Sequence, residues 1–142
     1  MTDDTAKIID QQQLDNGIKL SMYDRSRLTA GDRWQVELEC RAYIPMDESY
    51  WDMVAREDPK LLQDIKKILD DPLEFVTIRQ RNFVDAGEHE TVLQEMVKQL
   101  SGSILEYIKK PNFPQEFFKK QYREARQKVL IRKAIDDSKE NC

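Results

Sequence analysis

The segment "RWQVELECRAYI", residues 33–44, carries the clearest structural pattern in this chain of 142 residues. Apolar residues occupy every second position from Trp34 to Ile44, and the positions between them are mostly charged or polar. Because successive side chains of a strand point to opposite faces, this alternation predicts a strand with one buried face. The predicted core positions are Trp34, Val36, Leu38, Cys40 and Ile44. Pro45 then ends the strand, since proline has no N–H to donate to a neighbouring strand.

Two other segments are predicted to be strands of the same sheet, residues 17–24 and 75–84. The first alternates apolar and polar residues after the turn signal Asn16-Gly17, and an antiparallel hairpin with 33–44 is expected across a loop that contains Gly31. In 75–84 the buried face is undecided, because Val76 and Phe75 are both apolar but lie on opposite faces.

Three helices are predicted at 58–70, 88–109 and 114–136, where apolar residues recur at steps of three and four. The inner face of the last helix is assigned to Phe117, Phe118, Tyr122, Ala125, Val129 and Leu130. We therefore expect an α+β fold, with a small antiparallel sheet of about three strands covered on one face by the helices. A single domain over 1–142 is expected, with disordered tails at 1–13 and 137–142.

The composition excludes several classes of protein. The 27 acidic and 23 basic residues give a net charge of −4, which argues against a general nucleic-acid binder. The N-terminus lacks the apolar run of a secretory signal, and no apolar stretch is long enough for a membrane span. Cys40 and Cys142 do not form a disulfide framework, so a reducing compartment is favoured and we expect a cytoplasmic protein.

"GEHETVLQE", residues 87–95, contains the first half of the zinc-peptidase motif H-E-x-x-H, but Leu93 stands where the second histidine would bind the metal. His89 is the single histidine of the chain, so we expect no metal and no cofactor. Asp85 and Glu88 instead match a capping box that begins a helix. An alanine at position 89 is accordingly expected to leave folding and metal content unchanged.

Charged and aromatic residues around the predicted sheet suggest a surface for a ligand or partner. Arg79 and Arg81 project from one face of the third strand, where they either pair with Glu37 and Glu39 across the sheet or bind an anionic ligand or RNA. Tyr50 and Trp51 follow the sheet and either cap the core or line a partner groove. The full candidate set is Arg25, Arg27, Arg33, Tyr43, Tyr50, Trp51, Arg79 and Arg81.

Three pieces of the sequence resemble a family of short uncharacterised bacterial proteins. They are "DNGIKLSMYDRSR", "AGDRWQVELECRAYIP" and "PNFPQEFFKKQYR", and together they cover about a third of the chain. The resemblance implies a small stand-alone cytoplasmic protein. The family has no assigned activity, so the resemblance identifies no functional residue.

The expected function is that of a non-enzymatic protein-interaction or self-associating domain. No nucleophile motif or phosphate loop is present in the sequence. Self-association as a homodimer is expected through the helices or through an exposed sheet edge. Two alternatives stay open: a domain that binds a small ligand, an anion or RNA on its basic sheet face, and a small enzyme with a cleft between sheet and helices.

Overall fold

The computed structural model describes residues 6–140, and in this part of the chain it contains five strands and four helices. The strands are β1 (Lys7–Gln13), β2 (Lys19–Asp24), β3 (Arg27–Ala30), β4 (Arg33–Ile44) and β5 (Leu73–Asp85). The helices are α1 (Glu48–Asp52), α2 (Pro59–Ile68), α3 (His89–Ile108) and α4 (Phe113–Glu140). The α+β class and the antiparallel sheet are confirmed, but the sheet has five strands rather than about three.

The predicted hairpin is confirmed, and β4 is its central element. β2 and β3 pair antiparallel with consecutive stretches of β4, so that Asp24 lies opposite Leu38 and Arg27 lies opposite Gln35. The hairpin turns at Gly31, whose φ of +58° lies in the left-handed region that glycine adopts without strain. β1 pairs with β2 and β5 pairs with β4, so every other strand is placed by this hairpin.

Strand β1 replaces most of the predicted N-terminal tail at 1–13. The pairing of β1 with β2 shifts between Ile8 and Asp10, which leaves Ile9 as an extra residue in a β-bulge. Because β1 continues with four consecutive polar residues (Asp10, Gln11, Gln12 and Gln13), this segment does not show the alternating pattern of a strand in the sequence. At the other end, α4 continues through residues 137–140 of the predicted C-terminal tail, and residues 1–5 and 141–142 of the two tails lie outside the described residues.

The chain divides into two compact units, each made from two separate segments. The first comprises the described part of Met1–Ile44 together with Glu74–Pro111, and it holds the sheet and α3. The second comprises Pro45–Leu73 together with the described part of Asn112–Cys142, and it holds α1, α2 and α4. A single domain over the whole chain stays a prediction.

In the first unit, α3 packs on β4. Four of the five predicted core positions of β4 are buried, while Trp34 is half-buried. Burial also raises the pKa of the Cys40 thiol to about 11. The buried side of α3 consists of Met96, Leu100, Ile104 and Ile108, at the spacing of one helix face.

The contacts of β5 show which face of the predicted strand 75–84 is buried. Leu73 is buried, and the Phe75 ring lies 6.1 Å from the ring of Tyr107 in α3. Val76 and Ile78, on the other face, are 42% and 47% exposed. Near the end of the strand the alternation breaks at Phe83, which is 79% exposed and has a φ of +59°.

In the second unit, the side chains of α4 contact α1 and the turn that follows it. The buried Phe118 ring lies 5.4 Å from Tyr50 and 5.1 Å from Trp51. The Glu57 carboxylate accepts hydrogen bonds from the Tyr122 hydroxyl and from Arg126 Nε, the latter at 2.6 Å. Helix α2 begins as predicted, with Pro59 at its first position and the Asp58 carboxylate accepting from a backbone N–H.

The face of β4 that carries Glu37, Glu39 and Arg41 contains a buried charge, which the alternation of apolar and polar residues did not predict. Glu39 is only 4% exposed, and its carboxylate binds Arg41 Nε at 2.7 Å and Arg25 Nε at 3.1 Å. Burial alone would raise the pKa of Glu39, but the hydrogen bonds and charges of Arg41 and Arg25 together lower it below its ordinary value. Arg41 also binds Glu74 of β5 at 3.2 Å, so this cluster joins β4, β5 and the connection between β2 and β3.

Replacing Glu39 with glutamine should lower the free energy of unfolding by about 2 kcal/mol at pH 7, because two arginines lose their common carboxylate. Glu74→Gln is the matched control, and it should cost about 0.5 kcal/mol or less because that carboxylate is more exposed. Urea denaturation measures both.

The same comparison has a predicted pH dependence. Since the folded-state pKa of Glu39 is lowered, its contribution is present above the unfolded pKa and is lost as the pH falls through the folded value. The stability difference between wild type and Glu39→Gln should therefore shrink in acid, below the usual range of a glutamate pKa. A difference that stays constant into acid would show that the charge of Glu39 is not what stabilises the sheet.

Candidate functional site

A cleft of about 540 Å³ lies in the first unit, beside the first turns of α3. We call it the Trp34 cleft. Its apolar side chains are Ile9, Trp34, Leu93 and Val97, and its polar ones are Lys7, Asp24, Ser26, His89, Glu90 and Gln94. This volume is in the range of small-molecule sites, which combine apolar walls with a few polar groups.

The rings of Trp34 and His89 form one wall of the cleft. Their centroids are 4.1 Å apart and their planes differ by 2°, so the two rings are stacked. His89 Nδ1 lies 2.7 Å from the carbonyl oxygen of Ala86. In the neutral imidazole this contact assigns the proton to Nδ1, because a carbonyl oxygen only accepts, and Nε2 is then an acceptor.

The helix start at His89 is confirmed, but the predicted capping box does not form. The N-cap residue is Glu88, and its side chain makes no capping hydrogen bond. The Asp85 carboxylate forms an ion pair with Arg33 of β4 instead. The stack on Trp34 therefore contributes to holding the start of α3 against the sheet.

Two carboxylates line the Trp34 cleft. Asp24 accepts a hydrogen bond from the backbone N–H of Ser26 at 2.9 Å, which orients its side chain. Glu90 lies in the first turn of α3, where the helix dipole favours a negative charge. Within residues 6–140 neither carboxylate forms an ion pair, although Lys7 also lines the cleft.

The three arginines around the hairpin loop do not form a common basic patch. Arg25 is held by Glu39, and Arg33 is held by Asp85. The exposed Arg27 donates from Nε to the Gln35 side chain at 2.8 Å. Each of these cations thus has a partner in the sheet.

The predicted basic and aromatic face is also not assembled. Glu37 accepts a hydrogen bond from Gln80, not from an arginine of β5. Arg79 and Arg81 line a separate cleft of about 360 Å³ with residues of α3, such as Met96 and Leu100, so they lie on the other face of the sheet. The cross-strand pairing of Arg79 and Arg81 with Glu37 and Glu39 is therefore wrong.

The aromatic candidates have partners of their own. A hydrogen bond with Tyr23, and then burial, raise the pKa of Tyr43 to about 12. Tyr50 and Trp51 contact Phe118, and the Lys66 ammonium lies 4.8 Å from the centre of the Trp51 ring. In the second unit these two residues contribute to packing, which is one of the two predicted roles.

The C-terminal half of α4 has an exposed apolar stripe, which we call the outer stripe. Its large members are Leu130, Ile131 and Ile135, which are 40%, 53% and 51% exposed, and Ala134 lies between them. Ile131 is two residues from the buried Val129 and so points to the opposite side of a helix with about 3.6 residues per turn. The assignment of Leu130 to the inner face was therefore wrong.

The described residues include no group of three or more side chains that could hold a metal ion. They also include no helix with the length and apolar character needed to cross a membrane. Cys142 lies outside the described residues, so nothing is added to the prediction about its pairing.

Sequence reasoning missed most of the Trp34 cleft and all of the outer stripe. Lys7 and Ile9 were assigned to a tail, because β1 is mostly polar and shows no apolar–polar alternation. The outer stripe does have a signal, since Leu130, Ile131, Ala134 and Ile135 recur at helical spacing. That signal was obscured because a second apolar stripe continues through the same helix.

Replacing His89 with alanine should lower the free energy of unfolding by about 1 kcal/mol, the usual size of an aromatic stacking contribution. This replaces the expectation of no effect on folding. The variants are made in a Trp51→Phe background, in which Trp34 is the single tryptophan. The fluorescence of Trp34 then reports the loss of its stacking with His89. His89→Phe keeps a ring and should retain most of the stability, and Glu88→Ala is the control. Equal stability of His89→Ala and wild type would contradict the role of the stack.

Comparison of the chain with known protein families, with curated proteins and with solved structures finds no match.

Proposed function

We propose that this protein is a non-enzymatic self-associating domain, which pairs with a second copy of itself through the outer stripe of α4. The observation that carries the proposal is the apolar stripe on the face of α4 opposite its packed face. Three large aliphatic side chains close together on a solvent-facing helix are typical of an interaction surface. A cytoplasmic location is part of the proposal, on the ground of cysteine usage.

The spacing of the stripe supports an antiparallel arrangement of the two helices. About a two-fold axis near Arg132 and Lys133, Leu130 of one copy lies opposite Ile135 of the other, and Ile131 lies opposite Ala134. Each contact in this arrangement is self-complementary, as a two-fold interface requires. The pairing of large Ile131 with small Ala134 also allows the helices to approach closely.

The charges that flank the stripe support the same arrangement. Glu124 and Lys139 lie on one flank of the helix, and Arg126 and Asp137 lie on the other. An antiparallel copy brings Glu124 near Lys139, so opposite charges meet on that flank, and it brings Asp137 near Arg126, whose Nε also binds Glu57 of its own chain. In a parallel pair, Arg126 would instead lie beside Lys128 of the second copy.

The sheet edge is a weaker candidate for self-association. β5 pairs only with β4 among the described strands, so its other edge is available for pairing. However, it carries Arg79 and Arg81, and its backbone departs from a regular strand at Phe83. Charged side chains and local irregularities are features that oppose edge-to-edge pairing.

Replacing Ile131 with aspartate should abolish self-association, because the pairing would bury a carboxylate at the centre of an apolar contact. Arg132→Asp is the matched control, since its side chain points away from the stripe. A small interface of this kind is expected to have a binding free energy of about −5 to −7 kcal/mol. Sedimentation equilibrium at protein concentrations of about 10 to 500 µM covers the corresponding dissociation constants. A wild-type protein that is monomeric throughout would contradict the proposal.

A charge exchange tests the antiparallel orientation. Glu124→Lys and Lys139→Glu should each weaken the dimer about threefold to tenfold, the size expected for two exposed ion pairs. The double variant should recover the wild-type affinity, because the exchanged charges attract again. If the double variant dimerises no more tightly than the single variants, the antiparallel arrangement is excluded. Dimers with a different arrangement would still be compatible with that result.

A further inference from the structure

The Trp34 cleft has the chemistry of a ligand site that is separate from the outer stripe. Its volume of about 540 Å³ is sufficient for a small molecule. The apolar wall comes from α3 and from two strands, including the bulged residue Ile9. A pocket with one apolar and one polar side favours a ligand that has an apolar part and a polar part.

The polar side of the cleft is rich in hydrogen-bond acceptors. The carboxylates of Asp24 and Glu90 both line it, and within the described chain neither forms an ion pair. The contact of His89 Nδ1 with the Ala86 carbonyl makes Nε2 a third acceptor in the neutral ring. Among the described residues, Lys7 is the single lysine or arginine that lines the cleft.

The start of α3 does not convert the cleft into an anion site. A helix N-terminus attracts negative charge, but Glu90 in the first turn already supplies one. An added anion would meet two carboxylates and one lysine among the residues that line the cleft, so the net charge opposes it. A cationic group of a ligand is favoured instead, because the two carboxylates can each accept a charge-assisted hydrogen bond from it.

We infer that the Trp34 cleft binds a small organic ammonium compound with an apolar body. The ammonium group lies between Asp24 and Glu90, and the apolar body packs on Trp34, Leu93 and Val97. This site rests on the first unit alone and does not depend on self-association.

The test uses three probes of equal size and different charge: 2-phenylethylammonium, 2-phenylethanol and phenylacetate. Binding is followed by two-dimensional NMR, which separates the Trp34 indole signal from that of Trp51. The ammonium compound should bind about tenfold more tightly than phenylacetate, the size of one charge-assisted interaction. Equal affinity for the three probes, or no saturable shift at Trp34, would overturn the inference.

Substitution of each carboxylate tests whether it recognises the ammonium group. Glu90→Gln and Asp24→Asn should each weaken binding of 2-phenylethylammonium about fivefold to tenfold while leaving binding of 2-phenylethanol unchanged. Glu95→Gln, also on α3 but outside the cleft lining, is the matched control. If Glu90→Gln and Asp24→Asn bind the ammonium as tightly as wild type, the carboxylates do not form the site. The NMR spectrum of each variant shows directly whether it is folded.

Discussion

The pairing of β4 with β2 and β3 is the constraint on which the rest of the first unit depends. This long hairpin buries Leu38 and Cys40 on one face and Glu39 on the other. A buried carboxylate is costly unless it is paired, and here Arg25 and Arg41 both bind it. Because Arg25 lies between β2 and β3, the ion cluster requires both stretches to keep their register with β4. Through Arg41 and Glu74 it also constrains β5.

The parts of the fold that could be predicted from the sequence are those with an uninterrupted period. The bounds of β4 were predicted to the residue, and those of α3 within one residue, because their apolar residues recur regularly. β1 was missed because it is mostly polar and shows no apolar–polar alternation. The burial of Glu39 was missed for another reason, since alternation tells which residues share a face but does not tell whether that face is covered.

The candidate sites depend on information that is not local in the sequence. Trp34 and His89 lie 55 positions apart, and their stacking follows from how α3 packs on β4. The arginines around the hairpin loop were predicted as part of one surface, but Arg25, Arg27 and Arg33 each bind a different side chain. On α4, the buried Val129 and the exposed Ile131 belong to opposite stripes of one helix. The residues of both stripes recur at helical spacing, but only the packed structure shows which stripe faces solvent.

Self-association through α4 is the central claim, and hydrogen exchange measured at low and high protein concentration tests it most directly. Pairing should slow exchange of the backbone amides of residues 130–138 as the concentration rises, because the helix is then held by a second copy. The amides of β5 should exchange at the same rate at both concentrations. Unchanged exchange in α4, with slower exchange in β5, would contradict the claim and would identify the sheet edge as the contact instead.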